Sequence, residues 1–114
     1  MQLEERRQQR SAVRAEALKL LLEACRERAG LEALVISDRD GLLVSSSVTC
    51  AVDPNVVAAH LPRTYWREQL PKLHATTLKL DGSRLFFGAI GAVGERWARE
   101  MLNAMRGARR ILDA

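Results

Sequence analysis

The sequence contains few aromatic residues, few cysteines and no long apolar run. Two Phe, two Trp and one Tyr make up 4% of its 114 residues, which argues against the aromatic stacking platform that single-stranded nucleic acids need. Two cysteines cannot build the disulfide framework typical of small secreted domains. No apolar stretch approaches the roughly 20 residues that span a bilayer. We therefore expect a chain that neither inserts into membranes nor binds nucleic acid.

The remaining composition is that of a folded protein with basic ends. Apolar residues make up 47% and charged residues 28%, a balance typical of globular proteins, and the length suits one domain over residues 1–114. The N-terminal stretch MQLEERRQQR is too polar for a secretory signal, so a cytoplasmic location is expected. Basic residues exceed acidic ones in residues 1–29 and 96–114. We expect solvated helix faces there, with a patch for an acidic partner or a membrane surface as the alternative.

A long helix is predicted at the N-terminus. From Leu3 to about Ala29 there is no Pro or Gly, and apolar residues recur at helical intervals. Gly30 is the expected C-cap, because glycine adopts positive φ without Cβ strain. Residues 1–12 are dominated by Glu, Arg and Gln, so the helix either begins late or projects from the domain. Two apolar series mark its amphipathic pattern: Val13, Ala17, Leu21, Ala24 and Leu18, Leu22, Cys25, Ala29.

A β-hairpin and a short helix are predicted next. The apolar run Leu34–Ile36 is followed by the turn signal DRDG and by LLVSSS, which indicates two strands joined by a tight turn with Gly41 at positive φ. Asp53 followed by Pro54 is a favourable helix start, because the carboxylate accepts unpaired N–H groups and Pro suits the first turn. Pro62 ends this helix. Its inner face is predicted to hold Val56, Val57, His60 and Leu61.

The C-terminal half predicts a second hairpin and a closing helix. A strand over Leu73–Leu80 reaches the turn signal Asp81-Gly82, and the return strand Leu85–Val93 is apolar on both faces, which is typical of a covered strand. A helix from Glu95 to Leu112 follows, with Trp97, Met101, Met105, Ala108 and Leu112 as its buried stripe. The element order α-β-β-α-β-β-α predicts an α+β fold in which helices sandwich an antiparallel sheet.

Candidate groups for catalysis or ligand binding are sparse. Cys50, Asp53 and His60 offer a nucleophile, a carboxylate and a base, but no known signature surrounds them, and ordinary structural roles explain each. The cysteines and the histidines are too far apart in sequence for a typical zinc site. The string GAIGAVG lacks the Lys and Ser/Thr of a phosphate-binding loop. We predict no catalytic residue, no metal and no cofactor.

Two neighbouring aromatic residues are candidates for partner binding. Tyr65 and Trp66 follow the middle helix, and with Arg67 they form the predicted partner contact, because large aromatics anchor many interfaces. A lid over the edge of the core is the alternative role, and the one that the sequence favours.

The segment LEALVISDRDGLLVSSS, a Pro-started helix, the hairpin LKLDGSRLFFGAIG and a closing helix that ends in RRIL resemble the Roadblock family. This family comprises the dynein light chain Roadblock-type domains and includes bacterial cell-polarity regulators. The similarity covers roughly residues 15 to 112. It implies a Roadblock/longin-like fold and a protein without a reaction site that forms homodimers or heterodimers. It also implies that the chain binds or regulates Ras-like small GTPases or acts as an adaptor.

The resemblance also implies where two copies meet. The strand Leu73–Leu80 and the helix Pro54–Leu61 would contact their symmetry mates and give one extended sheet, which would also remove an exposed strand edge. Family members commonly have five strands, three of them after the middle helix, whereas this sequence shows two there. The predicted interface residues are Val56, Val57, His60, Leu61, Leu73, Ala75, Thr77 and Lys79.

Three functions are compatible with the sequence. The preferred one is a dimeric regulator or adaptor for a Ras-like small GTPase. The second is a structural subunit that pairs with another Roadblock-like chain or an unrelated protein through its charged N-terminal helix. The third is a small-molecule sensor of the GAF or PAS type, which would need an internal cavity with convergent polar groups.

Overall fold

The computed structural model describes residues 2–49, 51–63, 72–80, 82–91 and 94–113, with side chains from residue 12 onward. The chain order is helix, hairpin, helix, hairpin, helix, which confirms the predicted α+β arrangement. The elements are α1 (Gln2–Ala29), β1 (Ala33–Ser37), β2 (Leu43–Val48), α2 (Pro54–His60), β3 (Leu73–Leu80), β4 (Ser83–Ile90) and α3 (Glu95–Asp113).

The long helix α1 begins at Gln2, so the polar N-terminal residues are helical. It ends as predicted at Gly30, which has a φ of +67°, and the N–H of Leu31 donates to the carbonyl of Arg26 at 3.0 Å. Positive φ at this position is the usual way in which glycine terminates a helix. None of the helices in the described ranges is long and apolar enough to cross a membrane.

The β1–β2 turn is held by one carboxylate. Asp38 Oδ1 accepts the N–H groups of Asp40 at 2.9 Å and of Leu42 at 3.0 Å, an arrangement that Asp favours in turns. Gly41 has a φ of +80°, and a Cβ atom there would lie 3.2 Å from the Cα of Ala59. The turn therefore needs glycine both for its backbone conformation and for its close approach to α2.

The four strands form one antiparallel sheet in the order β2-β1-β4-β3. β1 is central and buried along its whole length, which agrees with its continuous apolar run. β2 and β3 are the two edges of the sheet. Helices α1 and α3 cover one face, and α2 covers the β1–β2 half of the other face.

The larger core lies between the sheet and the α1–α3 pair. On α3, Met101, Ala104 and Ala108 are buried, while the predicted core residues Trp97, Met105 and Leu112 are half-buried against the same cluster. α1 and the sheet provide the rest: Leu18, Leu22, Cys25, Leu31, Leu34, Ile36, Leu78, Leu85, Phe87 and Ala89.

The smaller core lies under α2. Asp53 caps this helix by accepting the N–H of Asn55 at 3.0 Å, as predicted. Val57 and Leu61 are buried against the sheet, whereas Val56 is 45% exposed. The prediction that Val56 lies on the inner face was wrong. Val57 and Leu61 are four residues apart and both face the sheet, and Val56 is turned away from them because neighbouring helix positions are about 100° apart.

Candidate functional site

Strand β3 is the open edge of the sheet on the side away from the first hairpin. It pairs with β4 in an unbroken register from Leu73↔Ile90 to Leu80↔Ser83, and no other described strand pairs with it. An unpaired edge presents a row of free backbone N–H and C=O groups. This edge is where the resemblance to the Roadblock family implies contact with a second copy.

The predicted interface residues of β3 all point to the α2 side of the sheet. Ala75 is aligned with Gly88 and, through it, with Val35, and Val35 belongs to the core under α2. Since strand side chains alternate between faces, Leu73, Thr77 and Lys79 share that side. Leu73 and Ala75 are half-buried, whereas Thr77 and Lys79 are exposed.

The predicted interface residues of α2 are divided between surface and core. Val56 is exposed and His60 is half-buried, with its Nδ1 atom 2.7 Å from the carbonyl oxygen of Val56. Val57 and Leu61 are buried within the chain's own core. Their contact with a second copy stays a prediction, and the surface that α2 offers is formed by Val56 and His60. The predicted partner contacts Tyr65, Trp66 and Arg67 lie outside the described residues.

One backbone acceptor on the β3 edge is already bound by α3. Arg109 Nη2 donates to the carbonyl oxygen of Lys79 at 3.0 Å, so this carbonyl points away from β4. Antiparallel hydrogen bonding alternates with a period of two residues, and the backbone groups of Leu73, Ala75 and Thr77 therefore also point outward. The open part of the edge is the first half of β3. No local pattern in the sequence indicates the Arg109 contact, since it joins residues 30 positions apart.

Three solved structures share this architecture. MglB of Myxococcus xanthus superimposes with a TM-score of 0.59 at 12% sequence identity, covering 86% of this chain and 89% of that chain. The gliding protein MglB from Thermus thermophilus gives 0.61 at 11% identity, covering 88% and 91%. MglB in a tetrameric arrangement gives 0.58 at 13% identity, covering 88% and 90%. The chain has the Roadblock/longin-like fold. This confirms the resemblance to the Roadblock family at the level of the fold.

Sequence comparison adds nothing to the structural match. No protein-family model matches the chain, and no curated protein matches it either. Identities of 11–13% establish a common Roadblock fold, and a fold hosts many functions. The function of this chain therefore depends on its own surfaces.

A groove of about 430 Å³ lies on the sheet beside the start of α2. It is mostly apolar and open to solvent, and the charged residues Glu32, Asp53 and Lys72 are part of its lining. Lys72 has a φ of +61°, an unusual backbone conformation for a residue with a side chain. Because the groove is open, it differs from the enclosed cavity that the sensor hypothesis requires.

A polar cluster joins α1 to α3 within the Roadblock fold. Arg28 Nε donates to Glu100 Oε1 at 2.9 Å, Asn103 Nδ2 donates to the same oxygen at 3.2 Å, and Arg28 Nη2 lies 3.6 Å from Cys25 Sγ. Burial opposes ionisation of Glu100, but the hydrogen bonds from Asn103 and Arg28 and the charge of Arg28 outweigh it and lower the pKa of this carboxyl. Glu100 was not predicted from the sequence, because a buried glutamate on an apolar stripe carries no local signal.

The same cluster makes Cys25 a poor nucleophile. Burial raises the pKa of its thiol, and the nearby Glu100 charge raises it further. A thiol must be ionised to attack or to bind a metal. Cys25 therefore serves as a small apolar residue of the larger core.

The structure gives the remaining catalytic candidates structural contacts. The Asp53 carboxylate caps α2, and the His60 ring contacts the Val56 carbonyl, while Cys50 lies outside the described residues. Among the residues that the structure describes, no three His, Cys, Asp or Glu side chains come together as a metal site. The surfaces of the domain, and above all the β3 edge with α2, remain the candidate site.

Proposed function

We propose that the chain is a non-catalytic, dimeric regulator or adaptor in the cytoplasm that binds a Ras-like small GTPase. The observation that carries this proposal is the open β3 edge of a Roadblock fold, whose outward backbone groups belong to the same residues that face the α2 side. Such an edge favours pairing with another strand, and a second copy provides a matching one.

The charges at the end of β3 favour one register for the pairing. Antiparallel pairing around a two-fold axis at Ala75 places Leu73 of each copy opposite Thr77 of the other. An axis at Lys79 would place the Lys79 residues of the two copies opposite each other, and an axis at either Thr77 or Lys79 would bring Lys79 into the pairing and displace Arg109 from its carbonyl. Like charges opposite each other destabilise strand pairs. The dimer is therefore expected to pair through the first half of β3, with Val56 and His60 of α2 beside it.

Binding of a GTPase is the finer part of the proposal. We assign no catalytic side chain to this chain, so any stimulation of GTP hydrolysis acts by ordering the GTPase's own catalytic residues. A Roadblock-like heteropartner can use the same β3 edge in place of a second copy. In this alternative the chain is an assembly subunit, and the purified chain alone should not self-associate through the β3 edge.

Light scattering and a binding assay test the two parts separately. We expect the purified chain to dimerise and to bind a Ras-like GTPase with different affinities in its GTP-loaded and GDP-loaded states. Ala75→Lys opposes two ammonium groups across the axis and should weaken dimerisation, whereas Ser83→Lys adds the same charge at an exposed site of β4 and should not. A strict monomer that binds neither nucleotide state would contradict the proposal.

A further inference from the structure

Helix α1 carries a second apolar stripe that the domain leaves partly exposed. Its inner face holds Leu18, Leu22 and Cys25, which are buried in the core. A further stripe, which we call the outer seam, lies away from the core and consists of Val13, Ala17, Leu20 and Ala24, of which the two alanines are half-buried. Val13 is 67% exposed and Leu20 is 56% exposed. The alternation of four- and three-residue steps is the heptad spacing of helices that pack against another helix.

The outer seam has an acidic side formed by α1 itself. Glu16 and Glu23 are exposed and directly precede the seam residues Ala17 and Ala24, which are the positions that flank a heptad seam. Glu16 and Glu23 therefore form an acidic border along one side of the seam. The border indicates that the partner of the seam carries positive charge at the matching place.

The other side of the outer seam borders α3 and is basic. The contacts of Arg28 with Glu100 and of Leu21 with Gly107, where a Cβ would lie 2.7 Å from Leu21 Cδ2, show that α3 runs antiparallel to α1 on this side. Opposite its buried residues, α3 exposes Arg99, Arg106 and Arg110. Within the described part of the chain, none of these three arginines has an ion pair.

A second copy of the chain complements this arrangement in one orientation. If two seams pack with their α1 helices parallel about a two-fold axis, the acidic side of each α1 faces the partner's α1–α3 groove and its arginines. If the helices pack antiparallel, acidic sides meet each other and arginines meet each other. Complementary charges at positions that flank a seam select orientation and partner in helix pairs.

We propose that the outer seam binds a second copy of this chain, with the two α1 helices parallel. Leu20 then packs against Leu20 of the other copy, and Glu16 and Glu23 approach the other copy's Arg106 and Arg110. The seam lies on the face of the sheet opposite α2. It is therefore separate from the β3 edge, and both contacts can form at once.

Disulfide cross-linking tests the orientation of the two helices. In a Cys50→Ser background, Leu20→Cys should form a disulfide-linked dimer under mild oxidation, because a parallel two-fold axis places residue 20 beside its own copy. Lys19→Cys is the matched control, since this neighbouring exposed residue lies outside the seam, and it should remain unlinked. Equal cross-linking of the two variants, or none for Leu20→Cys, would overturn the proposal.

A charge exchange tests the electrostatic argument. Glu23→Arg should weaken association through the seam by about tenfold, because each reversal acts twice across the axis, and Arg106→Glu should do the same. The double variant should recover the affinity of the original chain. If the double variant does not recover this affinity, the electrostatic argument is wrong and another partner occupies the seam. The same conclusion follows if the chain does not self-associate but binds a labelled helical peptide that contains leucine and acidic residues.

These experiments separate the seam from the proposed β3 dimer. Each experiment is repeated in the Ala75→Lys variant, which should weaken pairing through β3. The Leu20→Cys cross-link should persist in that background, whereas loss of the cross-link would show that the seam has no affinity of its own and would refute the inference. A persisting cross-link in a chain that never pairs through β3 would refute the proposed dimer and leave the seam intact.

Discussion

Leu61 and Gly88 are predicted to be energetically coupled, because one fills the space that the other leaves. Leu61 is fully buried under α2, and a Cβ added at Gly88 would lie 2.5 Å from Leu61 Cδ2. Leu61→Ala should lower the free energy of unfolding by about 3 kcal/mol, as for other buried leucines. Gly88→Ala should lower it by about 1–2 kcal/mol, because the added methyl group forces Leu61 out of place.

The double variant distinguishes this packing argument from two independent losses. Once Leu61 is truncated, the methyl group at residue 88 no longer meets Cδ2 and fills part of the cavity. The double variant should therefore be more stable than the sum of the single effects predicts, by about 1 kcal/mol. Urea unfolding curves of the four proteins, measured with equal m-values, provide the comparison. Additive effects would refute the close contact and, with it, the position of α2 on the sheet.

Three further predictions concern local contacts. Glu100→Gln should lower the free energy of unfolding by about 1 kcal/mol at neutral pH. Because folding lowers the Glu100 pKa, this loss should be complete at pH values above the usual glutamate pKa and should vanish as acid protonates the carboxyl in the folded state. A loss that is independent of pH would contradict this prediction. Gly41→Ala should lower the melting temperature, since φ is +80° and Ala59 leaves little room, whereas Gly94→Ala, at an exposed site with no atom within 4 Å, serves as a control expected to change little. Ser37 is fully buried and its hydroxyl has no partner among the described residues, so Ser37→Ala should raise the unfolding free energy by about 1 kcal/mol, and a destabilised variant would reveal a hidden partner.

The elements of this fold were predictable where the signals are local. The turn at Gly41, the cap at Asp53 and the C-cap at Gly30 each depend on residues within a few positions of one another, and all three form as predicted. The two-sided apolar pattern of β4 correctly predicted a covered strand. Turn and cap chemistry depends mainly on neighbouring residues, which explains this agreement.

The candidate surfaces depended on contacts that no local pattern encodes. The sequence grouped Val13, Ala17 and Ala24 with Leu21, whereas the structure exposes Val13 and packs Leu21 against Gly107 on α3. A helix that is apolar on two sides shows helical periodicity, but its periodicity alone does not tell which side meets the sheet. The hydrogen bond from Arg109 to the carbonyl oxygen of Lys79 likewise forms only once α3 is packed on the sheet, so no local pattern predicts it.

Amide hydrogen exchange on β3 tests the central claim most directly. The N–H groups of Ala75 and Thr77 point away from β4, and no other described strand pairs with β3, so the proposed dimer predicts that the strand of a second copy protects them. At high protein concentration these two amides should exchange slowly, at a rate similar to that of the paired Thr76 amide, and dilution should make them fast while Thr76 stays slow. Fast exchange of Ala75 and Thr77 at every concentration, beside a protected Thr76, would show that the β3 edge remains unpaired and would contradict the proposed dimer.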